Sequence, residues 1–492
     1  MNNFDEIALK IDEGMDSNDP NIVHQALDEV DKFLQLEKSS KHSVLYYYRA
    51  NAFAALRRMN PNYSNDQFNW EQPELSEEIF SLRKAVDNNG FFELDSIRCC
   101  QIYTNLGNAL NTVGRHIEAL ASFDNALKIL PMFAMAAANR AYCLTNYSDA
   151  LYDSAHRCIF LGEAVKGFKI ALNDDAVWDC EYPDTVKIQF QEKLREIETY
   201  LSKNCDLKNY YPMSFEMEGT AEAIALNNWR LKNRLFLNPL NDLGNLPIAT
   251  HDVFHLPNHT YQIAKQRPRF VEFYDLIKQE YVAACVLMHE GISDDNVHPA
   301  DQSLLTFEHA DYSVTSIETE KQKAAFRLAY SLLDKCAVFI NEYFLLGHKS
   351  TSLATSFRKV WYNSKGKHKQ LHAKLPIRNW RLRALFAVSL DLFDKDISEL
   401  TSPLATSVNS FRNASEHRFV SIHEMSLYKE EDDLVERITI SELQDLTLHL
   451  LKLARSTIMG LSFAVHHQEL YLAERKDDEI SVPFINEPKV RR

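Results

Sequence analysis

The sequence predicts an all-α protein, a series of paired helices leading into a longer helical bundle. Three observations predict it. Across 492 residues there are only 12 glycines and 15 prolines, too few turn formers for a strand-rich chain of this length. Apolar residues recur every three to four positions in most of the chain, the period of an amphipathic helix. Small and aromatic residues in the N-terminal part repeat at fixed offsets. The 45% hydrophobic content suffices for more than one core, and the length allows two to four domains. The expected organisation is a repeat region over 1–202, a loop-rich connector over 203–265 and a helical bundle over 266–492.

In the first region, Tyr103, Leu106, Gly107, Ala119, Phe123, Ala126 and Pro131 have the order and spacing of a tetratricopeptide unit of about 34 residues. The small residues let two helices approach closely, Leu106 and Phe123 fill the space between them, and Pro131 stops the second helix. Tyr46 to Leu56 and Ser76 to Val86 resemble the two helices of an earlier unit, and residues 21–36 an opening half-repeat. A later unit starts near Ala134, and its Ala164, Phe168 and Ala171 repeat the spacing of Ala119, Phe123 and Ala126. Three to four such units are expected to stack into a solenoid, because one unit cannot bury its own apolar face. A solenoid of this kind presents a surface to a protein partner or trigger, or serves purely as a scaffold, and carries no chemistry by itself.

Tyr211-Pro212, Asn238-Pro239, Leu246-Pro247 and Leu256-Pro257 oppose a long helix in the connector. Helical periodicity returns with Phe270, Phe273, Ile277, Tyr281, Ala284 and Met288, and again with Phe326, Ala329, Leu333, Cys336, Ile340 and Tyr343. Leu385, Ser389 and Phe393, then Leu443, Leu446, Leu450, Leu453 and Leu461, mark further helices of the bundle. Between them, Thr401-Ser402-Pro403 reads as a capped start for a helix over 403–414, with Leu404, Val408 and Phe411 on its apolar face.

Several chemistries find no support. There is no Gly-rich phosphate loop and no nucleophile elbow, so no cofactor is expected. His466 and His467 point to different sides of a helix, so with Glu469 they read as surface residues and no metal is expected. Asp391 and Asp394 likewise read as a solvated pair. The eight cysteines form no Cys-x-x-Cys pair and are expected to be reduced, buried side chains. No uninterrupted apolar run reaches the roughly 18 residues that span a bilayer, and the start of the chain lacks a basic then apolar signal region. A cytoplasmic protein without a membrane partner is the expectation.

The net charge of −15 argues against nonspecific polyanion binding, but the charge is unevenly distributed. Residues 1–200 carry −12, whereas residues 343–390 contain no acid and ten bases: Lys349, Arg358, Lys359, Lys365, Lys367, Lys369, Lys374, Arg378, Arg381 and Arg383. Trp361, Tyr362 and Trp380 are interleaved with them. Cations for phosphates and rings for splayed bases would make this island a track for single-stranded RNA. The competing reading is a charged loop balanced by the acidic runs at 430–433 or 477–479, with the tryptophans in the core.

Downstream of the island, Arg412-Asn413-Ala414-Ser415-Glu416-His417 gathers a guanidinium, a carboxamide and an imidazole within six residues. An imidazole exchanges protons near neutrality, a guanidinium matches a pair of phosphate oxygens, and the Asn can orient either or bond a ribose oxygen. On an uninterrupted helix, five residues place Arg412 and His417 roughly 140° apart. A shared site then needs either a break after Asn413 or a second subunit.

Arg412-Asn413-x-x-x-His417 resembles the motif of the HEPN superfamily, an Arg commonly followed by a polar residue and, a few residues on, a His. The run from Asn228 to Leu243, which contains Asn238-Pro239-Leu240-Asn241-Asp242, resembles the entry segment of a HEPN subfamily that carries tetratricopeptide-like helices ahead of its bundle. Together the two resemblances cover roughly the C-terminal half. They imply a homodimer, or a higher homo-oligomer, that brings two Arg/His pairs together and cuts RNA without metal. Arg412, Asn413 and His417 are then the catalytic residues, and a toxin-like role in stress or antiviral defence is implied. The family also has silent members, so a non-catalytic RNA-binding or protein-binding scaffold is the alternative.

Overall fold

Short polar caps and close helix contacts build the N-terminal part. In the computed structural model the described residues are 3–36, 41–63, 68–179, 183–205, 217–259, 269–293, 297–305, 312–349, 355–363, 370–425 and 434–474. Helices α1 (Asn3–Asp16) and α2 (Pro20–Leu36), α3 (His42–Met59) and α4 (Pro73–Asp87), α5 (Ser96–Thr112) and α6 (His116–Ile129), and α7 (Ala134–Ser148) and α8 (Ser154–Ala171) pack as successive pairs. The expected half-repeat at 21–36 is therefore a full pair, completed by α1. Asp95 and Asp153 cap α5 and α8 by accepting from the amides of Arg98 and His156. Gly107 permits the tight α5–α6 contact, since a Cβ there would lie 2.6 Å from the Phe123 ring. Gly114, at φ +84°, turns the chain between them.

The chain divides into two compact units, one formed by 1–211 with 394–403 and the other by 212–393 with 404–492. In the first unit α9 (Pro183–Asn204) packs on α8. Cys158 and Cys205 are joined in a disulfide, contrary to the expectation of eight reduced cysteines. These two lie 47 residues apart in sequence, and only the fold brings them together. Cys99, Cys100, Cys143, Cys285 and Cys336 are buried thiols as expected, and Cys180 lies outside the described residues. Segment 394–403 joins this unit through Glu399, which accepts from the Ser76 hydroxyl, and through the Thr401 carbonyl, which accepts from Arg83 at 2.9 Å. Thr401 and Ser402 are buried there and do not cap the next helix.

The second unit opens with α10 (Ala221–Lys232), a helix inside the stretch expected to be a loop-rich connector. The prolines of this region flank the helix without interrupting it, and Thr220 caps it by accepting from the Ala223 amide at 3.3 Å. Beyond α10 the chain is irregular but buried. Two 3-10 turns, Pro239–Asp242 and Pro247–Ala249, follow. Helix α11 (Arg269–Ser293), the short α12 (Pro299–Ser303) and α13 (Ile317–Tyr343) come next, with α11 and α13 packed as a pair. Then follow α14 (Trp380–Ser389), α15 (Ala405–His417) and the long α16 (Ile440–Glu474), which packs on α11, α13 and α14.

A small sheet, not expected from the sequence, joins β1 (Ser313–Val314), β2 (Phe419–His423) and β3 (Val435–Thr439). Strand β2 pairs antiparallel with β1 and parallel with β3, Phe419 opposite Val435 and His423 opposite Thr439. Asp391 is buried beyond the end of α14, not part of a solvated pair. Helix α16 has the length and apolar composition of a membrane span, yet 83% of that window is buried inside the protein, as befits a central core helix.

Arg455 of α16 holds the irregular segment in place. Its guanidinium donates to Asp242 Oδ1 at 2.6 Å and Oδ2 at 3.2 Å, to the Phe236 carbonyl at 2.6 Å and to the Asn238 carbonyl at 3.0 Å. Arg455 is 1% exposed and Asp242 fully buried. Removing one charge of such a pair strands the other without water. Asp242→Asn should cost about 3–5 kcal/mol, read as a fall in the denaturation midpoint of the intact protein; a midpoint within experimental error of wild type contradicts this assignment.

Candidate active site

Helix α15 carries the Arg412-Asn413-x-x-x-His417 motif. It runs unbroken to His417, three residues beyond the expected end, and begins at Ala405 behind Leu404, which makes no side-chain cap. Ala405, Val408, Phe411 and Ala414 form its buried stripe, and Phe411 meets Phe326 of α13 edge-on with centroids 4.6 Å apart. On the other flank, Ser410 donates to Glu436 of β3 at 2.8 Å. The helix stops because Arg418 turns extended and Phe419 pairs with the Leu434 carbonyl at 3.1 Å.

This packing leaves the motif side chains in unequal surroundings. Arg412 and Asn413 are half-buried and His417 is exposed. The Arg412 guanidinium donates to Asn413 Oδ1 at 3.1 Å and lies over the Tyr330 ring, 5.4 Å from its centroid. Asn413 and His417 are one turn apart and share a face. Among the described residues the His417 imidazole makes no hydrogen bond or ion pair, so it is open to a ligand. With no break after Asn413, Arg412 and His417 of one chain remain about 140° apart around the axis.

Two residues that sequence reasoning missed stand behind Arg412. Tyr330 and Asp334 lie one and two turns beyond Phe326 on α13. Burial raises the Asp334 carboxyl above its ordinary value, opposed by a hydrogen bond from the Phe357 amide at 2.9 Å and by the charge of Arg412. The signal was a polar flank beside the apolar stripe, a Tyr and an Asp four residues apart.

The basic island does not form one surface. Arg358, Arg381 and Arg383 are buried, so they are not available as surface phosphate contacts. Trp361 and Tyr362 are also buried and pack edge-on against Phe386, with centroids 5.8 and 6.1 Å away, and Trp361 Nε1 donates to the Phe357 carbonyl at 2.7 Å. They are core aromatics, a correction to the stacking role expected from their position among cations. Arg383, 1% exposed, lies over the Trp380 ring at 4.7 Å, and burial lowers its pKa to about 10. None of its guanidinium nitrogens has a hydrogen-bond partner among the described residues.

Lys349, Lys374 and Arg378 are exposed and Lys359 half-buried. Lys365, Lys367 and Lys369 lie outside the described residues, as do both acidic runs proposed to balance them. A cavity of about 260 Å³ takes in Pro376, Ile377, Arg378, Asn379, His467 and Tyr471, with no motif residue in its lining. His466 and His467 are half-buried, and Glu469 accepts from the Tyr343 hydroxyl at 2.5 Å, a structural role.

Trp361→Ala tests the corrected role. Loss of a buried tryptophan should cost about 3–5 kcal/mol of stability, measured by denaturant titration. A variant that keeps its stability and loses only RNA affinity would restore the stacking interpretation.

Residues 261–468 match a family model described as LA2681-like HEPN, so the motif helix, α13 and most of α16 lie within a HEPN domain. No curated protein and no solved structure matches the chain.

Proposed function

We propose that the HEPN domain at residues 261–468 is a metal-independent endoribonuclease, with Arg412, Asn413 and His417 as its catalytic residues. A HEPN domain is consistent with ribonuclease or nucleotide-related activity, and the finer assignment rests on one observation. An exposed imidazole that makes no hydrogen bond or ion pair among the described residues sits one turn from an Asn that is hydrogen-bonded to a half-buried guanidinium.

In this mechanism His417 takes the proton of a ribose 2′-OH. The 2′-oxygen attacks the adjacent phosphorus, the bond to the 5′-oxygen breaks, and that oxygen leaves with a proton. Arg412 stabilises the charge that develops on the phosphorane oxygens, and Asn413 fixes the guanidinium. RNA is the substrate because DNA lacks the nucleophile. One imidazole cannot readily act as both base and acid within a single turnover, and the unbroken helix keeps Arg412 and His417 of one chain apart. A second copy supplies the other His417 in a symmetric homodimer.

Phe419, 74% exposed, and Leu434, 68% exposed, pair through the backbone two residues beyond His417 and give that second copy an apolar contact beside the site. The helical pairs of the N-terminal unit serve as the surface for a protein trigger, and defence or stress response is the proposed setting.

Incubating the purified protein with RNA in excess EDTA should yield 2′,3′-cyclic phosphate and 5′-OH ends. His417→Ala should abolish cleavage and Arg412→Ala lower it by about 10²-fold or more, both at unchanged melting temperature. Activity lost in EDTA and restored by Mg²⁺ would overturn the mechanism. Salt-dependent RNA binding without cleavage would favour the non-catalytic scaffold.

A further inference from the structure

Helix α13 presents Phe326, Tyr330 and Asp334 at successive turns along one face, and α15 packs against it. Phe411 contacts Phe326, and Arg412, the next residue, covers the Tyr330 ring. One turn further, the Asp334 carboxylate accepts from the Phe357 amide at 2.9 Å, just ahead of Arg358 and Lys359. Asp334 also interacts electrostatically with Arg412. One side chain thus bonds the Phe357 amide and acts through its charge on the motif arginine.

We propose that Asp334 is a positioning residue for Arg412, holding the guanidinium over Tyr330 at the depth where it meets a phosphate, and that it ties this arginine to the 357–359 segment. The physical basis is directional. Tyr330 gives Arg412 a face to lie on and Asn413 holds one of its nitrogens, which leaves the depth of the guanidinium along the ring as the freedom still to be set. A fixed negative charge one turn along α13 adds the missing restraint. The charge acts at longer range than a direct ion pair, so Arg412 keeps its donors for Asn413 and for substrate. Asp334 touches no substrate in this account and acts through Arg412 alone. The inference rests on the ribonuclease reading above.

Asp334→Asn separates the two tasks of this residue, because an amide oxygen still accepts from Phe357 while the charge is gone. With the full-length protein and a fluorescent RNA substrate, kcat should fall roughly 10- to 100-fold, the scale of a misplaced catalytic group. KM should stay within about twofold, since ground-state contacts are unchanged. Asp334→Glu, which keeps the charge, should recover a clear part of the lost kcat.

An active wild type with an equally active Asp334→Asn variant overturns the positioning role and leaves the ribonuclease reading intact. Equal losses in the Asn and Glu variants, in parallel with a lowered melting temperature, mark a purely structural residue and also overturn it. A wild type that leaves RNA uncut removes the ribonuclease reading and this proposal with it.

Discussion

The buried contact between Arg455 and Asp242 is the constraint on which the second unit depends. A guanidinium at the middle of a core helix loses its hydration, and here four hydrogen bonds replace it, two to the carboxylate and two to the carbonyls of Phe236 and Asn238. The irregular segment in turn uses the arginine, because the buried Phe236 and Asn238 carbonyls both accept from its guanidinium. Asn241 donates to the Leu231 carbonyl and accepts from the Phe236 amide, Asp252 accepts from Arg230 and from the Leu237 amide, and Tyr281 donates to the Leu235 carbonyl. The run from Asn228 to Leu243 therefore belongs to the bundle as a polar wedge tied to α11 and α16.

That wedge fixes α16 against α11, and α16 packs on α13. Because α13 bears Phe326, Tyr330 and Asp334, the placement of the motif helix follows from the same core. Strand β3 leads directly into α16 and receives Ser410 through Glu436, so α15 is held on two sides. Its far end carries the exposed His417 and lies beside the exposed Phe419–Leu434 pair, the end that the proposed function assigns to a second copy. In the proposed reaction, a held arginine from one chain and an open imidazole from the other would divide the labour that general acid–base chemistry on a phosphodiester requires.

Much of this was legible in the sequence. The stripes through Ile277, Tyr281 and Ala284 and through Phe326, Ala329 and Leu333 are buried in α11 and α13, because a 3.6-residue period survives in the order of residues. The motif was legible for the same reason, being local. What failed was non-local. Charge and aromatic content could not show that Arg358, Arg383 and Trp361 turn inward, since burial depends on distant neighbours such as Phe386. Five-residue strands that pair across intervening chain give too little pattern to read, and the partners in the Cys158–Cys205 bond carry no shared signature. The prolines around α10 pointed to loop because they were counted and not placed: they flank Ala221–Lys232 and never enter it.

The central claim is that Arg412 and His417 act in a site shared between two copies of the chain. Specific activity measured across dilution, with the mass of each fraction determined by light scattering, tests it most directly. The account predicts that RNA cleavage resides in the dimer and that activity per subunit falls as the dimer dissociates. A monomer that cleaves RNA at full specific activity would contradict it.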